Sequence, residues 1–192
     1  MKTLLAAAIC ALVAWQPTPG RAPVRVLMET EAGAIEIEID LAHAPVTGAN
    51  FLKYVDAGLY DGGRFHRTVT MANQPDNRVK IEVIQAAASA AREGEYLPAI
   101  PLERTSVTGL SHVDGTLSMA RDGPDTARDE FFVCIGDQKA LDFGGARNPD
   151  GQGFAAFGRV VRGMDVVRRI QGSPANRQAL QPTIRILRVR PI

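Results

Sequence analysis

The stretch VRVLMETEAGAIEIEI, residues 24–39, shows the pattern that governs much of the sequence. In its second half three isoleucines alternate with two glutamates, the period of two that is typical of a strand with one buried face. The short sequence Glu31-Ala32-Gly33 separates the two halves and favours a turn. The stretch therefore predicts an antiparallel β-hairpin with one face in water.

Short apolar runs recur along the rest of the chain, and glycine, aspartate, asparagine and proline separate most of them. They predict strands at residues 65–69, 81–85, 116–119, 131–135, 154–161 and 183–189. Two segments have helical spacing instead: one follows Pro45 and Thr47 and ends at Gly58, and the other covers residues 164–170. Many short strands with two helices predict a mostly β domain. A closed barrel and a two-sheet sandwich fit this periodicity nearly equally well.

Residues 1–22 have the composition of a secretory signal peptide. Lys2 precedes an apolar run over residues 4–15, and helix-breaking residues follow at 16–20. The run is shorter than the roughly 20 apolar residues that span a bilayer. We therefore expect cleavage near Ala22, export to the periplasm or the medium, and no stable membrane insertion; an uncleaved N-terminal anchor is the alternative. Residues 23–192 would form one domain, since their number suits a single core.

Net charge and cysteine content limit the function classes. The chain has 22 Lys and Arg against 21 Asp and Glu, and loss of residues 1–22 removes Lys2 and Arg21, which leaves 20 against 21. A nearly neutral domain lacks the positive surface that nucleic acids require. Cys134 would be the remaining cysteine, which excludes an internal disulfide, and its apolar neighbours predict a buried side chain.

Other polar constellations lack the spacing that catalysis or ligand binding needs. The glycine-rich segment 143–153 has no Gly-Lys-Ser/Thr ending and no following helix to hold a phosphate. The three histidines are far apart, and no serine or cysteine lies in a nucleophile-elbow pattern. We therefore expect no metal, no cofactor and no hydrolytic site. A calcium loop is disfavoured because the alternating ligands are missing from the acidic group Asp122, Asp125, Asp129 and Glu130.

Arg67, at the end of the aromatic segment Phe65-His66-Arg67, has a more specific setting. The motifs that follow it, in content and order, resemble the cyclophilin-type peptidyl-prolyl cis-trans isomerases over almost all of residues 23–192. The resemblance implies a closed eight-stranded antiparallel barrel capped by two α-helices, and it selects the barrel over the sandwich. The motifs are Ile84-Gln85, Leu117-Ser118-Met119-Ala120 with Gly123-Pro124, Phe131-Phe132, and Phe157-Gly158-Arg159-Val160 with Gly163-Met164, and Ala44-Pro45, Thr47, Asn50 and Phe51 look like the family's first helix.

The resemblance also implies an enzyme that accelerates rotation about X-Pro peptide bonds and assists the folding of exported proteins. Arg67 would be the catalytic cation, and Gln85 would help to hold it. The partners would be proline-containing segments of unfolded or folding proteins, bound by a monomer. The implied substrate-binding residues are Val83, Phe132 and Leu141 as walls of a proline slot, Met119 behind them, Phe154 at the edge, Ala120 and Arg121 beside the peptide backbone, and Glu130 in place of a glutamine.

Several positions depart from the family pattern. The connection after Arg67 runs through residues 73–77 and is longer than usual, which predicts an extra surface loop beside the site. Glu130 could pair with Arg67 and either orient it or compete with substrate. These departures leave a cyclophilin-fold binding module or chaperone as the alternative function. Glu82 replaces an aromatic residue of the family, Val83 replaces Met, and Arg121 replaces Asn. Ala140 replaces Trp, which implies weak binding of cyclosporin-like ligands.

Overall fold

The computed structural model describes residues 23–192, and the predicted signal peptide, residues 1–22, lies outside them. Short 3-10 helices occur at Met71–Asn73, Ala90–Glu95 and Lys139–Leu141. The helices are α1 (Pro45–Asp56), α2 (Thr105–Thr108) and α3 (Met164–Gln171). The strands are β1 (Val24–Thr30), β2 (Gly33–Ile39), β3 (Arg64–Val69), β4 (Val83–Ala87), β5 (Thr116–Met119), β6 (Phe131–Cys134), β7 (Ala155–Arg162), β8 (Ala175–Asn176) and β9 (Ala179–Pro191).

Eight of these strands close an antiparallel barrel. Neighbouring strands pair in the order β1-β2-β7-β5-β6-β4-β3-β9, and β9 also pairs with β1, which closes the sheet. The remaining strand of the described residues, β8, forms a short hairpin with β9. The predicted eight-stranded barrel is therefore confirmed, and the sandwich is excluded.

The first hairpin forms as its alternation predicts. β1 and β2 pair along their whole length, and the three isoleucines of β2 are buried in the barrel. On the outer face Glu38 lies between two flanking strands and forms ion pairs with Arg25 of β1 and Arg159 of β7. The period of two thus sends apolar side chains inward and charged side chains outward.

Two helices, α1 and α3, pack against the barrel at the positions that the sequence predicts. α1 contributes Phe51 and Tyr54 to the core, and α3 contributes Val167 and Ile170. The N-terminus of α1 is stabilised by the carboxylate of Glu103, which accepts hydrogen bonds from two of its free backbone N–H groups. α2 is a single turn that the sequence pattern does not predict. No helix in residues 23–192 has the length and apolarity needed to cross a membrane.

The apolar side chains form two separate clusters. The large one fills the barrel and includes Phe131 and Val133 of β6. The small one contains the alternate residues Phe132 and Cys134 of the same strand, together with neighbours from β3, β4 and the loops. Because successive side chains of a strand point to opposite faces, the small cluster lies on the side of β6 that faces away from the barrel core. Cys134 is buried there as predicted.

Two strands, β4 and β9, differ from the predicted boundaries by more than one residue. β4 begins at Val83 instead of residue 81, because the backbone of Ile81 is bonded to a side chain and not to a strand partner. Its N–H donates to Oε1 of Gln74, and its C=O accepts from Nε2 of the same residue. β9 runs from Ala179 to Pro191 and so is longer than the predicted segment 183–189.

Candidate functional site

A groove of about 370 Å³ lies over the small apolar cluster. It is open to solvent on one side and combines an apolar floor with several charged side chains. Nine of the ten site residues that the sequence predicts line this groove. They are Arg67, Val83, Gln85, Ala120, Arg121, Glu130, Phe132, Leu141 and Phe154.

The guanidinium of Arg67 on β3 is held by two glutamine side chains. Its Nε and Nη2 donate to Oε1 of Gln178 at 2.9 and 2.7 Å, and Nη1 donates to Oε1 of Gln85 at 2.9 Å. A guanidinium has five N–H groups, so Nη1 and Nη2 each keep one N–H without a partner among the described residues. Burial lowers the pKa of Arg67 and the negative charge of Glu130 raises it, and the group stays charged at physiological pH.

Glu130 acts on Arg67 through Gln85. The Nε2 of Gln85 donates to Glu130 Oε2 at 2.5 Å, while Oε1 of the same amide accepts from Arg67. The carboxylate therefore determines which end of the amide faces the guanidinium. Glu130 also approaches Nε2 of His66 at 3.9 Å, and burial lowers the pKa of that imidazole. The direct ion pair between Glu130 and Arg67 that the sequence left open does not form.

The floor of the groove is apolar. Phe132 is 5% exposed, and the edge of its ring meets Phe154, with 5.4 Å between the ring centroids and 88° between the planes. Val83 and Leu141 pack in the same cluster. A slot of this kind accepts a compact apolar ring such as that of proline.

A buried polar network supports Phe132 from behind. The His112 ring stacks on Phe132 at 6.0 Å between centroids. Its Nδ1 donates to Oδ1 of Asp142 at 2.6 Å, and its Nε2 accepts from Oγ of Ser118 at 2.9 Å. Burial lowers the pKa of His112, although Asp142 opposes the shift. The order Ser-His-Asp is that of a hydrolytic triad, but Ser118 and His112 are fully buried, so no substrate reaches the hydroxyl.

Met119, the tenth predicted residue, does not line the groove. It pairs with Phe131 in the barrel interior, whereas its neighbour Ser118 pairs with Phe132 on the groove side. The alternation of side chains along β5 explains this difference, because residues 118 and 119 must point in opposite directions. Met119 therefore packs in the barrel core and does not line the groove.

Arg121 lines the groove, but its hydrogen-bond donors point away from it. Nη1 and Nη2 donate to the carboxylate of Asp150, and Nε and Nη2 donate to the carbonyl of Gly153. The guanidinium carbon also lies 5.0 Å from the ring centroid of Phe154. Only 1% of the side chain is exposed. These contacts hold the Arg121 side chain against the loop before β7, so its guanidinium positions that loop.

Besides Asp122, Thr126, Arg128 and Asp129, which also line the groove, three further residues of the site were not predicted. Ile81 lines the groove, whereas the carboxylate of Glu82, which replaces an aromatic residue of the family pattern, accepts from Nε2 of Gln171. Arg147 lines it from the loop before β7. Gln178 holds Arg67 from the β8–β9 hairpin, 111 positions away. None of these residues belongs to a motif. The apolar run that begins at Ile81 was the one sequence feature that could have pointed to one of them.

Two acidic residues near the groove, Asp125 and Asp129, accept hydrogen bonds from the backbone. Asp125 accepts from the N–H of Leu102 at 2.8 Å, and Asp129 accepts from the N–H of Ala88 at 3.3 Å. Within residues 23–192 no group of three or more His, Cys, Asp or Glu side chains is arranged to hold a metal ion. The thiol of Cys134 lies in the apolar floor, and burial raises its pKa.

The structure thus combines a closed antiparallel barrel with a held guanidinium beside an apolar slot. The family model described as "Cyclophilin type peptidyl-prolyl cis-trans isomerase/CLD" matches residues 25–191. The chain therefore belongs to the cyclophilin-type peptidyl-prolyl cis-trans isomerase family.

Similar curated proteins carry the isomerase name. The peptidyl-prolyl cis-trans isomerase of Acinetobacter baylyi is 33% identical over 160 residues, which cover 83% of this chain and 78% of that protein. Peptidyl-prolyl cis-trans isomerase A of Dickeya dadantii is 33% identical over 173 residues, covering 88% and 84%. Peptidyl-prolyl cis-trans isomerase B of Escherichia coli is 31% identical over 160 residues, covering 83% and 91%.

The fold matches solved cyclophilins. The crystal structure of a cyclophilin type isomerase from Cryptosporidium parvum covers 88% of this chain and 98% of its own, with a TM-score of 0.69 and 19% identity. A second structure of that protein was determined in the presence of the dipeptide Ala-Pro and has a TM-score of 0.68.

Proposed function

We propose that this protein is a peptidyl-prolyl cis-trans isomerase with Arg67 as its catalytic residue. The observation that carries the proposal is the position of a charged guanidinium, held by Gln85 and Gln178, at the rim of an apolar slot. Family membership and the isomerase relatives support the same activity.

An X-Pro bond has cis and trans forms of similar free energy, separated by a barrier of about 18–20 kcal/mol. The barrier arises because the amide nitrogen shares its lone pair with the carbonyl. When the bond twists, the lone pair localises on nitrogen, and a nearby N–H donor then binds the twisted amide better than either planar form. A fixed cation needs no reorganisation at that moment, which is why it lowers the barrier.

The arrangement around Arg67 suits this task. Three of the five N–H groups are bonded to glutamine oxygens, which fixes the plane of the guanidinium. One N–H on each terminal nitrogen stays available for substrate. Both partners are neutral amides, so the positive charge of Arg67 is not cancelled by an ion pair. The apolar floor with Phe132 would hold the proline ring beside these donors.

The experiment compares wild type, Arg67→Ala and Arg64→Ala in the isomerisation of a short Ala-Pro peptide. Arg64 is a matched control, because it lies on the same strand but does not line the groove. We expect Arg67→Ala to lower kcat/KM at least about 100-fold, the loss typical of one preorganised charged donor, and Arg64→Ala to retain activity. Peptide binding without turnover in the wild type would instead favour the binding-module alternative.

We also propose that the protein is exported and acts on proline-containing segments of exported proteins while they fold. The basis is the composition of residues 1–22, a single cation followed by a short apolar run and a breaker segment. Fractionation of cells expressing the full chain, with mass measurement of the product, tests this. Export predicts a soluble periplasmic or secreted product that starts near residue 23. Full-length protein in the cytoplasm or membrane would contradict it, and a chain that starts at residue 23 is the non-exported control.

A further inference from the structure

The loop before β7 places a second guanidinium in the groove. Arg147 lines the groove together with Arg67. Its Nη1 donates to Oε1 of Gln74 at 2.9 Å and to the carbonyl of Val79 at 2.7 Å. Both acceptors belong to the loop between β3 and β4, so Arg147 joins the two long loops beside the active site.

Gln74, the side-chain hydrogen-bond acceptor of Arg147, is itself held in a fixed position. The side chain of Gln74 is 1% exposed, and its Nε2 donates to the carbonyls of Thr70 and Ile81. These bonds fix the direction of its Oε1, which accepts from Arg147. The guanidinium is therefore oriented before any ligand binds, which lowers the entropic cost of using it.

The rest of the Arg147 guanidinium is free to bind. Nε and Nη2 have no hydrogen-bond acceptor among residues 23–192, and neither nitrogen is buried. No carboxylate of the described residues forms an ion pair with Arg147, whereas Arg121 in the same groove is paired with Asp150. Burial lowers the pKa of Arg147, and the like charge of Arg67 lowers it further. An anion in this part of the groove would relieve that repulsion.

We propose that Arg147 is a specificity-determining residue that binds the carboxylate of an Asp or Glu next to the substrate proline. The proposal rests on the proposed isomerase function: Arg147 and the apolar slot line the same groove, so a segment with its proline in the slot would pass through the groove that Arg147 lines. Two N–H groups on Nε and Nη2 match the two oxygens of a carboxylate. The site thus selects acidic X-Pro or Pro-X segments over neutral or basic ones.

The test measures kcat/KM by exchange NMR for two peptide pairs that differ only in charge: Ala-Glu-Pro-Phe against Ala-Gln-Pro-Phe, and Ala-Ala-Pro-Glu against Ala-Ala-Pro-Gln. The readout is the Glu/Gln ratio, which is kcat/KM for the Glu peptide divided by kcat/KM for the Gln peptide of the same pair. This ratio does not depend on the fraction of protein that is active. In the wild type we expect a ratio of roughly three to ten in at least one pair, as for a partly exposed ion pair. The ratio should fall between 0.05 and 0.5 M salt because of screening.

Variants assign the preference to Arg147. Arg147→Ala should lower the Glu/Gln ratio at least about threefold, and Arg147→Lys should keep part of it, because the charge remains but the paired donors are lost. Arg78→Ala is the matched control: it removes the same charge from the loop that Arg147 contacts, but Arg78 is exposed and does not line the groove. It should leave the ratio unchanged.

The outcomes separate this proposal from the proposed function. Turnover of the neutral peptides with a Glu/Gln ratio near one in both pairs would overturn the role of Arg147 and leave the isomerase function standing. An equal drop of the ratio in Arg78→Ala would overturn it too, since the effect would then be one of net charge. If no peptide is turned over, the proposed function fails, and the ratio of dissociation constants from NMR titration of the same pairs decides the role of Arg147 by the same criteria.

Discussion

Replacing Gln178 by alanine should lower isomerase activity about five- to tenfold, although Gln178 does not line the groove. Gln178 accepts two of the three hydrogen bonds that orient the Arg67 guanidinium. The rotamer entropy of an arginine side chain amounts to about 2 kcal/mol. If the loss of two bonds restores half to two thirds of that freedom, the cost of placing Arg67 is about 1–1.4 kcal/mol, which is five- to tenfold in rate.

The assay is kcat/KM for a neutral Ala-Pro peptide, with Asn176→Ala as the control. Asn176 lies in the same β8–β9 hairpin, is exposed and forms no side-chain hydrogen bond with Arg67. Urea unfolding of both variants should give similar free energies, which would exclude a general loss of the hairpin. The reasoning is refuted if the two variants are equally active while Arg67→Ala is not, because Gln85 alone would then suffice to orient the guanidinium.

Three further predictions concern neighbouring residues. Glu130→Gln should keep activity within about threefold, because the new amide oxygen still accepts from Gln85 Nε2. Glu130→Ala should lose more activity, since the Gln85 side chain is then free to turn. Equal losses of peptide turnover in the two variants would contradict this. Met119→Ala should lower the free energy of unfolding by about 2–5 kcal/mol but leave kcat per folded molecule nearly unchanged; a loss of kcat at full stability would return Met119 to the site. The free energy of unfolding should fall as the pH drops below about 6.5, the usual pKa of histidine, because the pKa of His112 is lowered in the folded state and the unfolded chain therefore binds more protons. The pKa of His66 is also lowered and has the same effect. Urea unfolding at pH 7.5 and 5.5 should show a smaller change in the free energy of unfolding for His112→Asn than for wild type.

The barrel could be predicted from the sequence because each strand carries its own signal. The alternation in residues 24–39 has a period of two, and the two helical segments have a period of 3.6. Both periods are properties of the local sequence and can be recognised without knowing the fold. Closure could not be derived in this way, because pairing between β1 and β9 joins residues at opposite ends of the chain. The order of family motifs supplied that information.

The site was predicted less evenly. Arg67, Gln85 and Phe132 stand in motifs, and the structure brings them together. Met119 was expected behind the slot walls, and the structure places it in the barrel core, paired with Phe131; a motif gives the order of residues but not the face on which each one lies.

The loop residues could not be foreseen at all. Gln178 and Arg147 lie in connections without periodicity, and their roles depend on hydrogen bonds between segments that are distant in the sequence. Loop conformation is set by such contacts more than by local pattern. The same reason explains why the pairing of Arg121 with Asp150 could not be predicted.

The central claim, that a held guanidinium at Arg67 accelerates rotation about X-Pro bonds, is tested most directly by exchange NMR on one peptide with resolved cis and trans resonances. A small amount of wild-type protein should accelerate both directions by the same factor and leave the cis/trans ratio unchanged. With Arg67→Ala the exchange rate should fall at least about 100-fold, while the peptide still shifts the resonances of groove residues. Exchange as fast with Arg67→Ala as with wild type, or peptide binding by the wild type without faster exchange, would contradict the claim.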